Sequence, residues 1–118
     1  MWILKQCLKS ANQLFWGEGV ECLATLRPVA MGEHGGEVCF PGGKPEPGDM
    51  NLQGTAEREL LEELGIRPSC VLGELSSIPL FTSDYRIQPY VCAIDSKALA
   101  PNSAEVDKAL WFSVDAIF

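Results

Sequence analysis

Three glutamates, Glu59, Glu62 and Glu63, stand three and four residues apart in the stretch Arg58-Glu59-Leu60-Leu61-Glu62-Glu63. On a helix, at about 100° per residue, their carboxylates share one arc of about 100°. Ala56, Leu60, Leu61 and Leu64 then cover an adjoining apolar arc. Like charges at these spacings oppose a helix by about 0.2–0.5 kcal/mol per pair, so the cluster needs either solvent or a compensating cation. A solvated acidic face meets the first condition. A metal site meets the second, because Mg²⁺ and Mn²⁺ prefer oxygen ligands. The segment just upstream, Pro41-Gly42-Gly43-Lys44-Pro45-Glu46-Pro47-Gly48-Asp49, favours the metal. Six of its first eight residues are Pro or Gly, so it must be a shaped loop, and such a loop can present a bare backbone carbonyl to a hard cation.

Regular elements must hold this loop and helix together. Thr55 can cap a helix running to Leu64, and Gly65 suits the left-handed stop. Ile66-Arg67-Pro68 then ends it. Apolar, β-rich runs predict strands over 20–26, 37–40, 70–80, 85–94 and 106–112, separated by Gly- and Pro-bearing or polar stretches. Residues 1–16 read equally as strand or helix. One helix among several strands implies an α+β domain.

With 118 residues, the chain fits a single domain, 1–118, built on one core. Its hydrophobic content of 47% and charged content of 21% exclude disorder and fibrous repeats. Nine basic against sixteen acidic residues leave a formal charge of -7, the wrong sign for holding nucleic acid by its phosphates. An acidic protein can still handle a phosphate-bearing substrate if divalent cations stand between the two. A single histidine, His34, excludes zinc sites built from paired histidines. The five cysteines are odd in number and form no C-x-x-C pair, which reads as buried intracellular thiols. Lys5 and Lys9 interrupt the apolar start too soon for a signal peptide, and no stretch approaches a membrane-spanning length. A cytoplasmic location without a membrane partner is the expectation.

The second half of this region resembles the box of the Nudix hydrolases, G-x5-E-x7-R-E-U-x-E-E-x-G-U with U aliphatic. Arg58-Glu59-Leu60-Leu61-Glu62-Glu63-Leu64-Gly65-Ile66 fits throughout. The first half departs: with Gly43 as the box glycine, Asp49 takes the acidic position, and eight residues rather than seven precede Arg58. The longer spacing, with Phe40-Pro41-Gly42-Gly43-Lys44, is similar to the coenzyme A pyrophosphatase branch of the family. Thr25, Arg27, His34 and Gly36 also match that branch. The resemblance covers residues 20–112. It implies a Nudix-type α/β/α sandwich: a mixed sheet, the carboxylate helix on one face and the Gly-rich loop at its edge.

The resemblance further implies metal-dependent hydrolysis of the pyrophosphate bond of a nucleoside diphosphate linked to another group, most of all coenzyme A or an acyl-coenzyme A. ADP-ribose, a dinucleotide or a nucleoside triphosphate is the alternative within this chemistry. A catalytically silent nucleotide-binding module is the alternative outside it. Glu59 and Glu63 are expected as principal ligands of Mg²⁺ or Mn²⁺, Glu62 as a further ligand or water-activating base, and the Gly43 carbonyl as another ligand. Arg58 is expected to brace the loop, by pairing with an acid such as Asp49. Arg27, Lys44 and His34 are candidates for substrate binding. Glu105 precedes Val106 in a segment, 105–112, that is similar to a late E-V-x-x-x-x-W element of the family. A solvated strand-end acid is its expected reading, a distal base or ligand the other. Phe81, Tyr85, Tyr90 and Trp111 could stack on a base, although core packing is the default.

Two features sit uneasily with the resemblance. Glu57 falls within the apolar arc, which requires a solvated helix edge, a cationic partner or different packing. The sequence also stops at Phe118, short of the family's usual C-terminal helix. The apolar surface that such a helix would cover leads to the expectation of a homodimer.

Overall fold

A computed structural model describes residues 2–8, 21–30, 32, 35–79, 86–94 and 99–113. Along the chain run β1 (Trp2–Leu8), β2 (Glu21–Leu26), β3 (Val38–Cys39), α1 (Leu52–Leu64), β4 (Cys70–Glu74), β5 (Ile78–Pro79), β6 (Arg86–Ala93) and β7 (Lys108–Ser113). The strands form one mixed sheet in the order β3-β2-β1-β6-β4, with β5 also on β6 and β7 also on β2. Among the described strands only β1 and β6 run parallel, paired from Trp2↔Ile87 to Leu8↔Ala93. That long-range pairing makes residues 2–8 a strand, which no local signal could choose over a helix.

Two strands carry the architecture by sharing an edge. β2 pairs with β7 along its full length. Its other edge is divided between β1, at Cys22 and Leu23, and β3, at Thr25 and Leu26. β6 likewise faces β1 on one edge and divides the other between β4 and β5. The strand expected over 70–80 is therefore two strands, and Pro89 explains the break. The Leu75 N–H donates to the Pro89 carbonyl at 3.0 Å, but proline has no N–H to return. The Gln88 side-chain amide supplies that missing donor, reaching the Leu75 carbonyl at 2.8 Å.

Asn51, in extended conformation, caps α1, and its side chain accepts from the Gly54 N–H at 2.8 Å. This corrects the expectation that Thr55 is the cap. A usable cap residue lies one turn earlier, so Thr55 falls inside the helix, where it is buried. At the other end Gly65 adopts φ 69° and its N–H bonds to the Leu61 carbonyl at 2.9 Å, the left-handed stop expected from the sequence.

The helix lies over β1 and β6. Leu60 and Leu64 enter a core with Leu23, Ile66, Cys92, Ile94 and Val106, while Ala56 packs with Tyr90 and Leu52. Leu61 is 38% exposed, so the buried arc is centred further from it than the wheel predicted. Glu57, one turn before Leu61, is only partly covered, and its edge of the helix is open to solvent. Cysteine usage also differs from expectation: Cys22 and Cys92 are buried, but Cys39 is half-buried and Cys70 exposed, because Cys70 opens the outer strand β4. The expectations about the end of the chain fall on residues 114–118, outside the described residues. Among the described residues no helix is long and apolar enough to cross a membrane.

Candidate functional site

The loop between β3 and α1 is fastened to the helix at two places. Near its start the Gly42 N–H donates to Glu63 Oε2 at 3.0 Å. Near its end Asp49 meets Arg58, whose Nε donates to Oδ1 at 2.8 Å and whose Nη2 donates to Oδ2 at 3.2 Å. The geometry is the two-pronged one that guanidinium and carboxylate planes favour. Asp49 Oδ2 also accepts from the Thr55 hydroxyl at 2.7 Å and from the Glu46 N–H at 2.8 Å. Thr55 thus serves the loop from within the helix, a role its position in the sequence did not suggest.

Between these fastenings Glu59 lies against Gly43. A Cβ on Gly43 would stand 2.5 Å from Glu59 Oε1 and 2.6 Å from its Cδ. Only a glycine leaves the carboxylate this close to the backbone. Arg58 Nη1 completes the arrangement, donating to Glu59 Oε1 at 3.0 Å and to Glu62 Oε2 at 3.1 Å, while Nη2 reaches the Lys44 carbonyl at 3.1 Å. One guanidinium therefore binds the loop and two of the three glutamates. The expectation that Arg58 pairs with Asp49 and braces the loop agrees with these contacts.

The carboxylates differ in environment. Glu63 is 6% exposed. Burial pushes its carboxyl up to about 8, the charges of Glu59 and Glu105 add to this, and the Gly42 N–H and Arg27 oppose it. Burial also raises Glu59, against the hydrogen bond and charge of Arg58, and Glu62 and Glu105 contribute to the rise. Asp49 is the reverse case: Arg58 first, then the Glu46 N–H and the Thr55 hydroxyl, hold it well below the usual carboxylate range. Glu62 keeps 44% of its side chain exposed. Among the described residues no three His, Cys, Asp or Glu side chains are gathered at metal-ligand spacing, and both Glu59 and Glu62 accept from Arg58.

Glu105 corrects the expectation of a solvated acid. Its Oε2 is buried and accepts no hydrogen bond among the described residues, and its charge acts on both Glu59 and Glu63. It approaches because the loop carrying it is bonded to the last turn of α1, through Ala100 N–H to the Leu64 carbonyl and Asn102 N–H to the Glu63 carbonyl, both at 2.8 Å. Its sequence signal was only a short late motif. Arg27, just beyond β2, is near enough for its charge to act on Glu63, and its N–H bonds to the Glu37 carbonyl at 2.9 Å. Lys44 is exposed on the loop. His34, Phe81 and Tyr85 lie outside the described residues. Tyr90 is buried and Trp111 packs against the core, which agrees with packing rather than base stacking.

A model of the NUDIX domain matches residues 10–118. Nudix hydrolase 3 of Caenorhabditis elegans is 35% identical over 101 residues, covering 80% of this chain and 42% of that protein. Peroxisomal coenzyme A diphosphatase NUDT7 of Mus musculus is 37% identical over 93 residues, covering 77% and 39%. Mitochondrial coenzyme A diphosphatase NUDT8 of Homo sapiens is 40% identical over 91 residues, covering 73% and 39%. The chain thus spans about two fifths of the length of these relatives. The NUDIX domain of Shewanella oneidensis NrtR, solved with ADP ribose, superposes with a TM-score of 0.75 at 16% identity, covering 98% of this chain and 73% of that one. A Caenorhabditis elegans Ap4A hydrolase superposes at 0.73 with 13% identity, covering 98% and 81%. Such likeness concerns the fold alone. The fastened loop and helix lie wholly within the matched span, and that match covers nearly the whole chain: the protein belongs to the Nudix domain family.

Proposed function

We propose that residues 1–118 form one hydrolase domain that cleaves the pyrophosphate bond of a nucleoside diphosphate linked to another group, with coenzyme A or an acyl-coenzyme A as substrate. The observation that carries this reading is the closure of the Gly-rich loop on the carboxylate helix, with Glu59 against Gly43 and Glu63 on the Gly42 N–H. The two coenzyme A diphosphatases among the relatives support the substrate.

The donor set suits a divalent cation. Glu59 and Glu63 are buried enough to resist ionising, and Glu105 carries a buried oxygen with no hydrogen bond among the described residues. A cation relieves that repulsion, and oxygen ligands of this kind are those that Mg²⁺ or Mn²⁺ takes. Glu59 and Glu63 would hold the ion, with Glu105, the Gly43 carbonyl and Glu62 as further oxygens. When bound, the ion supplies Lewis-acid stabilisation of phosphate charge.

The chain's own residues do the rest. Arg58 fixes the loop and the direction of Glu59. Glu62, exposed and hydrogen-bonded to Arg58, would serve as ligand or as the base that takes a proton from the attacking water. Arg27 presents a positive charge beside Glu63 for the substrate phosphates, with Lys44 and His34 contributing from the loops. The partner is a small nucleotide rather than nucleic acid or membrane. Cytoplasmic residence rests on the odd number of cysteines without a C-x-x-C pair. The homodimer is retained as a proposal that sedimentation tests: monomer alone at micromolar concentration refutes it.

The deciding experiment is hydrolysis of coenzyme A, acetyl-coenzyme A, ADP-ribose, NADH and dATP with Mg²⁺ or Mn²⁺, beside Glu63→Gln. Cleavage of the coenzyme A compounds that is lost in the variant supports the proposal. Preference for another substrate overturns the substrate class and keeps the chemistry. Nucleotide binding without turnover overturns the hydrolase reading.

A further inference from the structure

Asn102 stands where the last turn of α1 meets the loop bearing Glu105. Its N–H donates to the Glu63 carbonyl at 2.8 Å, and the Ala100 N–H donates to the Leu64 carbonyl at 2.8 Å. These carbonyls have no partner within the helix, so they are ready acceptors for another segment. Gly65 makes room: a Cβ there would lie 3.0 Å from Ala100 Cβ and 3.1 Å from its carbonyl oxygen.

On its other side Asn102 is an acceptor for three N–H groups. Its Oδ1 takes that of Ala104 at 3.1 Å, while its carbonyl takes those of Glu105 at 3.0 Å and Val106 at 2.8 Å. An asparagine oxygen bonding the N–H two residues on is a turn that asparagine forms readily. Beyond the turn, Val106 is 1% exposed in the core and the Asp107 N–H bonds to the Leu26 carbonyl at 2.7 Å. Glu105 is thus held between a core anchor and a turn whose other end is fastened to the backbone of Glu63.

We propose that Asn102 is a positioning residue whose side chain closes the turn that sets the Glu105 carboxylate toward Glu59 and Glu63, while its N–H ties that turn to the Glu63 carbonyl. The inference rests on the reading of Glu105 as one of the metal-holding oxygens. The helix that bears Glu59 and Glu63 and the loop that bears Glu105 then form one unit, and a loosened turn lets the third carboxylate drift while the fold persists.

The test is a double-mutant cycle on the full chain, Asn102→Ala, Glu105→Gln and both together, read as the Mn²⁺ concentration giving half the maximal rise in melting temperature, with kcat and KM for coenzyme A alongside. Asn102→Ala keeps all three backbone bonds of Asn102, so the domain should fold. Loss of one neutral hydrogen bond should raise the half-saturating Mn²⁺ concentration about three- to tenfold and lower kcat while KM stays put. Asn102→Ser, whose hydroxyl oxygen can accept the same N–H, should recover most of the Mn²⁺ response. In the Glu105→Gln background Asn102→Ala should add no further shift. An equal shift in both backgrounds, or none in the folded single variant, overturns the proposal. A Glu105→Gln variant with unchanged Mn²⁺ response overturns it too, but leaves the metal-dependent reading intact if Glu63→Gln still abolishes that response. No Mn²⁺ response in the parent protein overturns both.

Discussion

The Glu59 carboxylate lies directly against Gly43 and leaves no room for a side chain there, its Oε1 standing 2.5 Å from where a Cβ on residue 43 would be. The helix therefore reaches the loop through a gap that only glycine provides. The Gly42 N–H on Glu63 and the Asp49 carboxylate on Arg58 hold the two surfaces in that register.

Gly43→Ala should lower kcat for coenzyme A hydrolysis by about 10²-fold, since a displacement of this size at a reacting centre is worth about that much. The clash falls on the flexible end of Glu59, so the melting temperature should barely move. Steady-state kinetics beside a thermal melt check this. A variant of near-parental kcat would show that Glu59 does not work from this position.

Gly65→Ala should do the reverse. The residue sits at φ 69° and a Cβ would press on the backbone oxygen of Ala100 at 3.1 Å, which cannot swing aside. The left-handed backbone alone costs a non-glycine residue about 1–2 kcal/mol, so the melting temperature should fall by several degrees. Calorimetry of the two proteins at one pH decides it.

Arg58→Lys keeps the charge and should still fail. Lysine offers a point charge where the guanidinium spans Asp49, Glu59, Glu62 and the Lys44 carbonyl. Loss of such a support for the carboxylates should lower activity or metal affinity about 10- to 100-fold. Activity within twofold of the parent at all Mn²⁺ concentrations would show that neutralising charge, not orientation, is its task.

The metal-free protein should lose stability as pH rises. Glu63 titrates near 8 in the fold against an ordinary value of 4.5, so the native state binds the extra proton between those values. Stability must then fall with pH through that window, being fully present below the unfolded value and lost above the folded one. Glu63→Gln should flatten the slope, and Mg²⁺ should reduce it by favouring the ionised form. Melts from pH 5 to pH 8, with and without the ion, test all three outcomes.

Much of the site was legible because its chemistry is local in sequence. Arg58, Glu59, Glu62 and Glu63 lie within one and a half turns of helix, and the Pro- and Gly-rich composition of 41–49 requires a loop beside them. Gly65 as the helix stop was readable for the same reason. Thr55 was misread because Asn51 is an equally good cap one turn earlier, and only the position of Asp49 shows what the hydroxyl is for. Glu105 was misread because its surroundings come from Asn102 and Ala100, whose partners lie some forty residues away.

By itself, then, the amino-acid sequence determined the carboxylate helix, the loop before it, the approximate strands and the family to which they point. All of these depend on spacing along the chain. The tertiary structure alone decided that residues 2–8 pair in parallel with β6, that Pro89 divides an expected strand in two, which glutamate is buried, and that Glu105 comes near enough for its charge to act on Glu59 and Glu63. Each of these depends on a partner distant in sequence, and both desolvation and electrostatic coupling are set by packing in space rather than by adjacency along the chain.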